Sequence, residues 1–279
     1  MNVSPWSTIG SGVTWAPVKS IQYFLRARGH TLVADGIYGP VTAAAVGAFQ
    51  STVGATVDGI VGPQTWPQLI IATAEGDTGD AVRAVQQFGF VSFPGVDPLL
   101  VDGVYGPVTA ERVRFFQESW GLTQDGIAGP ETWSFLSALV PGQDLWPLVK
   151  VGATQATNWR VLIAQHLLRA HGSGIVADGI FGPLSGAAVT AFQQTLRAQF
   201  ISTTIGQLDW PALIITVKAG DTGEAVKAVQ SFFPDLVVDG VFGPLTDAAV
   251  RGLQGVFLPP ADGIVGPMTW RLLTVRLFD

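Results

Sequence analysis

Apolar residues recur at steps of three and four along several stretches of this 279-residue chain. Ala45, Val46 and Phe49 form one such stripe, and Val113 and Phe116 form another, with polar or small residues on the opposite face. This spacing is typical of an amphipathic α-helix with one buried face. A shorter apolar segment precedes each stripe and another follows it, so the pattern predicts sets of three helices.

Between the predicted helices, the hexapeptide Asp-Gly-[Ile/Val]-x-Gly-Pro occurs seven times. Gly favours turns that need a positive φ, and a short Asp side chain can accept hydrogen bonds from nearby backbone N–H groups. The Pro suits the first turn of the helix that follows, with the preceding Gly as its cap. We therefore expect structural turns that begin at Asp35, Asp58, Asp102, Asp125, Asp178, Asp239 and Asp262.

The hexapeptides fall into pairs about 23 residues apart, which divides the chain into four repeats. An eighth position aligns with Ser202–Gln207, where only Gly206 keeps the pattern. The second and fourth repeats open with Gly-Asp-Thr-Gly, at Gly76 and Gly220, and the first and third do not, so the order is A-B-A′-B′. The predicted fold class is all-α, with four tandem three-helix bundles arranged as two duplicated modules.

We place the repeats at residues 1–74, 75–142, 143–217 and 218–279, and the third of them has a degenerate second turn. The boundary between the two modules is predicted near residue 142, in the turn-rich stretch Pro141-Gly142-Gln143-Asp144.

Aromatic and Gln residues recur at fixed positions in the repeats. A Trp on the last helix of each repeat is interpreted as a core residue rather than a sugar-stacking one, at Trp66, Trp133, Trp210 and Trp270. The aromatic residue of each first hexapeptide could close the bundle or contact a ligand. A Gln on the second helix could bond a ligand amide or tie down the neighbouring turn. The candidate ligand-binding residues are Tyr38, Tyr105, Phe181, Phe242, Gln50, Gln117, Gln193 and Gln254.

Composition and charge argue against several classes of function. The net charge of −6 and only 15 Lys and Arg residues argue against nucleic acid as a partner. The chain has no Cys and three His residues (His30, His166 and His171) without a zinc-binding motif, so no metal or cofactor is expected. Neither a recurring carboxylate pair nor a G-x-S-x-G element is present. These patterns predict that the protein is not an enzyme.

The apolar content of 48%, with 13% charged residues, predicts a sizeable core. Bundles of about 65 residues gain only a few kcal/mol from their own cores, so we expect repeats to pack against one another. The longest uncharged stretch, residues 36–57, is interrupted by Gly and Pro, and no membrane span is predicted. The first residues lack a basic region followed by an apolar one, so no signal peptide is visible.

The order of these residues resembles the peptidoglycan-binding domain family of small three-helix modules. The shared pattern is Gln, then Asp-Gly-x-x-Gly-Pro-x-Thr, then Phe-Gln, then Asp-Gly-x-x-Gly-Pro-x-Thr-Trp, and it covers nearly the whole chain in four copies. The resemblance implies non-catalytic attachment to the glycan or stem peptide of bacterial cell-wall peptidoglycan, as an anchor or targeting unit. It places the protein in the cell wall or outside the cell, if it is exported.

Two departures and two alternatives accompany this expectation. The third repeat has Ser202-Thr203 for Asp-Gly and Gln207 for Pro, and the fourth has Leu253-Gln254 for Phe-Gln. The same bundles could serve a structural or assembly protein that contacts protein partners or itself, which low charge and high apolar content favour. A lectin for another glycan is the second alternative.

Overall fold

The computed structural model describes residues 6–14, 16–88, 99–139, 145–198 and 200–275, and the predicted module boundary near residue 142 lies outside them. The described residues form helices without a β-sheet, which confirms the predicted all-α class. The helices are α1 Ala16–Ala27, α2 Pro40–Val53, α3 Trp66–Leu69, α4 Asp80–Gln86, α5 Pro107–Trp120, α6 Pro130–Ala138, α7 Arg160–Ala170, α8 Pro183–Thr195, α9 Trp210–Leu213, α10 Glu224–Gln230, α11 Pro244–Phe257 and α12 Pro267–Thr274.

Several of these helices begin at the Pro of a hexapeptide. In α2, Pro40 follows Gly39, whose extended backbone (φ −96°, ψ −173°) makes it the N-cap, and α8 and α11 repeat this arrangement. Pro is suited to this position because the first N–H groups of a helix have no partner within the helix. The hexapeptide therefore ends one turn and starts the next helix.

Isolated antiparallel bridges close each set of three helices. In the first set, Ile9, before α1, exchanges two backbone hydrogen bonds with Val61, in the second hexapeptide. The equivalent bridges pair a residue before the first helix with the fourth residue of the second hexapeptide, at Thr73–Ala128, Val149–Ile205 and Val217–Val265. The degenerate turn that begins at Ser202 thus keeps its bridge.

The chain divides into two compact units, one chiefly Val3–Glu118 with Leu122–Leu145 and the other chiefly Trp146–Leu277 with Ser119–Gly121. We call them the N-terminal and C-terminal units. In each, the helices that open two neighbouring predicted repeats pack together, α1 against α4 and α7 against α10. These helix contacts are the kind that the predicted packing of repeats requires.

Tryptophan residues lie at the centre of both units. In the N-terminal unit, the Trp66 and Trp133 rings stack with centroids 6.5 Å apart, and Phe24 meets Trp133 edge-on at 4.8 Å. In the C-terminal unit, Trp210 and Trp270 belong to one apolar cluster. All four Trp side chains have no exposed area, which confirms their assignment to the core. Since these rings are inaccessible, a stacked sugar cannot reach them.

Candidate functional site

A hydrogen-bond network joins each Asp-Gly turn to a buried Gln side chain. At the first turn, Gln22 Nε2 donates to Asp35 Oδ1 (2.7 Å), to the Ile37 carbonyl (3.1 Å) and to Thr42 Oγ1 (3.0 Å). Gln22 Oε1 accepts the Gly36 N–H at 2.8 Å, and Asp35 Oδ1 accepts the Ile37 N–H at 2.9 Å. The single amide therefore binds both the turn and the start of the next helix. We call this arrangement the Gln–Asp–Thr network.

The network recurs at every intact hexapeptide, with Gln Nε2 lying 2.7 to 2.9 Å from the Asp Oδ1 atom. The hydroxyl partner always follows the Asp by seven residues and is a Ser in one case. The seven sets are Gln22–Asp35–Thr42, Gln50–Asp58–Thr65, Gln86–Asp102–Thr109, Gln117–Asp125–Thr132, Gln165–Asp178–Ser185, Gln230–Asp239–Thr246 and Gln254–Asp262–Thr269.

Three candidate ligand-binding Gln residues, Gln50, Gln117 and Gln254, are members of these networks and are at most 2% exposed. Their amides already have protein partners on both the oxygen and the nitrogen. A ligand could bond them only by displacing those partners. Ligand contact by these residues stays a prediction, and their burial weighs against it.

The fourth candidate, Gln193, holds the degenerate turn by a different pairing. Its Nε2 donates to Asp209 Oδ1 at 3.0 Å, and its Oε1 accepts the N–H of Ser202 at 2.6 Å. Asp209 occupies the position of the usual Thr, while Ser202 occupies that of the usual Asp. The Ser202 hydroxyl accepts the Thr204 N–H at 3.2 Å, as the Asp carboxylate does elsewhere. Compared with the intact turns, the carboxylate and the hydroxyl have therefore exchanged their two positions, which are seven residues apart.

Sequence reasoning missed this exchange because it read residues 202–207 only as a decayed hexapeptide. The seven-residue interval between Asp and Thr in the other turns was the available signal. Applied to Ser202, the same interval identifies Asp209.

The four candidate aromatic residues are at most 1% exposed and lie inside the bundles. The Tyr38 hydroxyl donates to the Gly59 carbonyl at 2.8 Å, and the Tyr105 hydroxyl donates to that of Gly126 at 2.7 Å. Both acceptors belong to the second turn of the same predicted repeat, so each Tyr links two turns. Burial raises the pKa of both phenols above their usual range. Phe181 and Phe242 fill the equivalent positions without a hydroxyl. Ligand binding by these rings stays a prediction that would require the bundle to open.

The turn carboxylates, by contrast, lie at the surface. The hydrogen bond from the backbone N–H two residues later lowers the pKa of Asp35, Asp58, Asp102, Asp239 and Asp262, with a further contribution from the Gln amide. For Asp178 the Gln165 amide has the larger effect on the pKa. These groups are therefore negatively charged at neutral pH.

Two further features of the described residues bear on chemistry. They contain no group of three His, Asp or Glu side chains arranged to hold a metal ion. His166, 9% exposed, has its Nδ1 atom 2.8 Å from Glu224 Oε2, and Arg169 and Lys227 donate to the same carboxylate.

Within the described part of the chain, no helix is long and apolar enough to cross a membrane.

A family model described as a peptidoglycan binding domain matches residues 16–69, 78–136 and 222–273, which together form more than half of the chain. It finds three copies where the sequence pattern predicts four. The range it omits includes the degenerate turn at Ser202. The Gln165–Asp178–Ser185 network in that range nevertheless has the same geometry as the others.

Curated relatives match parts of the chain. A zinc D-Ala-D-Ala carboxypeptidase from Streptomyces albus G is 37% identical over 37% of this chain and 40% of its own length. The N-acetylmuramoyl-L-alanine amidase CwlL of Bacillus licheniformis is 31% identical over 49% of this chain and 47% of its own length. The chain thus spans less than half the length of either relative.

Among solved structures, a peptidoglycan-binding protein from Clostridioides difficile, in complex with glutamine hydroxamate, is 36% identical over 23% of this chain and 40% of that chain. Its TM-score is 0.23.

These relatives correct the expectation that the protein is not an enzyme. They are named as a carboxypeptidase and an amidase, both enzymes, although the matches are partial. The absence of catalytic motifs from the repeat pattern was therefore not a sufficient basis for that prediction. The match to the domain model, in contrast, covers most of the helices that carry the networks. The chain belongs to the peptidoglycan-binding domain family.

Proposed function

We propose that the chain binds bacterial cell-wall peptidoglycan through its tandem bundles, and that this binding targets a wall-degrading activity to its polymer. The observation that carries the proposal is the match of the peptidoglycan binding domain model to three separate regions of one chain. The names of the partly matching enzymes support the second half of it. On this proposal the protein acts in the cell wall or outside the cell.

The four-repeat division belongs to the same proposal. It is supported by the bridge that closes each set of three helices and by the recurrence of the Gln amide at each turn. Repeated sites would gain affinity on a polymer, because the second contact forms within one complex at an effective concentration of the order of mM. No deep pocket is then needed for useful binding.

Co-sedimentation with purified sacculi tests the binding, with chitin and cellulose as controls for other glycans. We expect saturable binding to sacculi alone, which withstands moderate salt. Release of soluble fragments from the same sacculi, measured in the supernatant, assays the wall-degrading activity separately. Absence of sacculus binding would contradict the proposal, and concentration-dependent growth in particle size would then favour the self-assembly alternative.

A further inference from the structure

Exposed aliphatic side chains surround the first Asp-Gly turn of every predicted repeat. They occupy three positions, two residues before the Asp, two after it and six after it, and each is 50 to 79% exposed. We call each set of three, with its Asp, a turn patch. The four patches contain Val33, Ile37 and Val41; Leu100, Val104 and Val108; Val176, Ile180 and Leu184; and Val237, Val241 and Leu245. Grouped exposed aliphatics of this kind mark interaction sites more often than scattered ones do.

The three positions face one side of the turn. This is visible at the turn that begins at Asp262, where Pro260, Ile264 and Met268 occupy the same positions. Together with Asp262 they line one cleft of about 320 Å³. All intact turns share the hydrogen bonds that fix the Asp, the residue two after it and the start of the next helix. The two later aliphatics of each turn patch therefore also lie on a common side, beside the carboxylate.

The carboxylate of each patch is exposed and retains an oxygen for a ligand. At Asp178, the hydrogen bonds from Gln165 and from the Ile180 N–H both go to Oδ1. At Asp35, the bonds from Gln22 and from the Ile37 N–H likewise go to Oδ1. Each patch therefore combines a fixed negative charge with aliphatic surface.

The patches differ in whether a positively charged side chain lies beside the turn Gly. At the second repeat, Arg83 donates to the Asp102 carbonyl at 2.9 Å, and its positive charge lies near the Asp102 carboxylate. At the fourth, the Lys227 side chain covers Gly240. At the third, the side chains within 4 Å of the position that a Cβ on Gly179 would take are neutral, those of Gln155 and Leu162.

At the first repeat, no atom lies within 4 Å of the position that a Cβ on Gly36 would take. Lys19 holds the helix position of Arg83 and Lys227 in the first repeat, but none of its atoms lies within that distance, and the third repeat has Leu162 there. The patches at Asp35 and Asp178 are therefore the ones whose turn Gly has no cationic side chain beside it. Each unit contains one of them.

We propose that the turn patches at Asp35 and Asp178 bind the stem peptide of peptidoglycan. The carboxylate pairs with the ammonium group of the diamino acid, and the aliphatic side chains pack on the methyl groups of the neighbouring alanines. This inference rests on the proposed function and assigns it to a part of the polymer. Glycan strands of N-acetylated sugars carry no ammonium group, so the peptide is the part of the polymer that offers the Asp carboxylate a partner of opposite charge.

The size of the patches supports a short peptide rather than a second protein. Three side chains offer roughly a few hundred Å², whereas a stable protein–protein interface buries about 800 Å² on each partner. An exposed ion pair adds little affinity by itself and weakens with salt. A single patch is therefore a weak site, and its affinity for the wall comes from many peptides on one polymer.

The test uses a synthetic stem tetrapeptide with a free side-chain ammonium group, and the same peptide with that amine acetylated. Binding to the full chain is followed by NMR titration or calorimetry. We expect acetylation to weaken binding about threefold, the scale of an exposed ion pair. The charge variant is Asp35→Asn with Asp178→Asn, since Asn keeps the oxygen that accepts the Gln and backbone bonds. This variant should bind the free peptide about threefold more weakly than the unaltered chain does, and it should bind the acetylated peptide equally well.

The aliphatic surface is tested by Val41→Asn with Leu184→Asn. This pair should weaken binding of both peptides about fivefold, because it removes apolar area from contact. The matched control is Val108→Asn with Leu245→Asn, at the same helix position in the repeats whose turns carry a cation. We expect the control pair to bind as the unaltered chain does. Thermal unfolding of every variant checks that the bundles remain folded.

The same variants are compared on sacculi, so that the two proposals can fail separately. Sacculus binding without peptide binding would overturn the stem-peptide assignment and leave the proposed function standing. Equal losses from the test and control pairs, or no loss from the charge variant, would also overturn it. Peptide binding without sacculus binding would support the patches and contradict the proposed function.

Discussion

At the scale of the residue, a buried Gln amide makes several hydrogen bonds to each turn. Its Nε2 atom donates to a carboxylate, a carbonyl and a hydroxyl, and its Oε1 accepts the Gly N–H of the turn. A buried donor or acceptor that loses its partner costs about 1 to 3 kcal/mol. The turn therefore depends on a side chain that lies outside the hexapeptide.

Replacing Gln230 by Leu removes one network without changing the side-chain volume greatly. We expect the free energy of unfolding to fall by about 2 to 4 kcal/mol, since the Gly240 N–H and the Thr246 hydroxyl lose buried partners. Urea unfolding measures the loss. The control is Gln194→Leu in the same unit, an exposed position on α8, where the change should stay within about 0.5 kcal/mol. Equal effects at the two sites would contradict the role given to the network.

The degenerate turn offers a second prediction at this scale. Asp209→Thr alone removes the only carboxylate of the exchanged network, and we expect it to lower the free energy of unfolding by about 1 to 3 kcal/mol. Adding Ser202→Asp and Thr203→Gly restores the residues of the intact turns and should recover most of that loss. A coupling energy near zero between these positions, measured by denaturation of each variant, would refute the exchange.

At the scale of the element, ion pairs connect the first helices of neighbouring predicted repeats. Arg26 of α1 bonds Asp80 of α4 at 2.8 Å in the N-terminal unit. Arg169 of α7 bonds Glu224 of α10 at 2.9 Å in the C-terminal unit. The Arg169 hydrogen bond, followed by those of His166 and Lys227, lowers the pKa of Glu224 to about 2. Corresponding helices thus use corresponding positions, with His166 added in one unit only.

Because only the α7–α10 pair contains His166, we expect its stability to depend on pH differently from that of the α1–α4 pair. Burial lowers the pKa of His166, and the effect exceeds the opposing one of Glu224. As the pH falls below about 6.5, His166 is protonated in the unfolded state but stays neutral in the folded state. Its contribution to the free energy of unfolding is therefore present above that pH and is lost below it. His166→Tyr introduces the residue found at the equivalent Tyr23 and should flatten this dependence.

Urea midpoints of the C-terminal helices between pH 5 and 8 measure the effect, with His30→Tyr as a control that leaves the cluster intact. An unchanged slope in the His166 variant would count against the assignment.

At the scale of the whole molecule, ionised turn carboxylates are spread along the chain. Their pKa values are lowered at Asp35, Asp58, Asp102, Asp178, Asp239 and Asp262. A carboxyl group with a depressed folded pKa stabilises the protein above its unfolded value near 3.9, and that stabilisation disappears as the pH falls further. The molecule therefore carries the same acid sensitivity in both units.

We expect the melting temperature to fall progressively below about pH 4, with contributions from every repeat. The Asp35→Asn and Asp178→Asn pair removes two of the titrating groups and should make the decline shallower. Calorimetry between pH 2.5 and 5 provides the measurement. A melting temperature that stays constant over this range would mean that the turn carboxylates do not couple to folding.

The sequence by itself determined the features that depend on near neighbours. The hexapeptide places a Gly at positive φ, as at Gly36 (φ 82°), and a Pro at the start of a helix, because both preferences belong to the residue itself. Apolar periodicity gave the helices, and the Trp residues were assigned to the core because a small bundle needs a large apolar side chain there. The all-α class followed from these local rules.

Only the tertiary structure decided what each side chain touches. Gln22 and Asp35 are 13 residues apart, and their bond exists because α1 passes over the turn. The same packing buries Tyr38 and leaves Val33 exposed, although both flank one Asp-Gly pair. It also brings Asp209 to Gln193 where the hexapeptide is lost. Hydrogen-bond partners and exposure depend on distances between separate elements, and no residue pattern within one element fixes those distances.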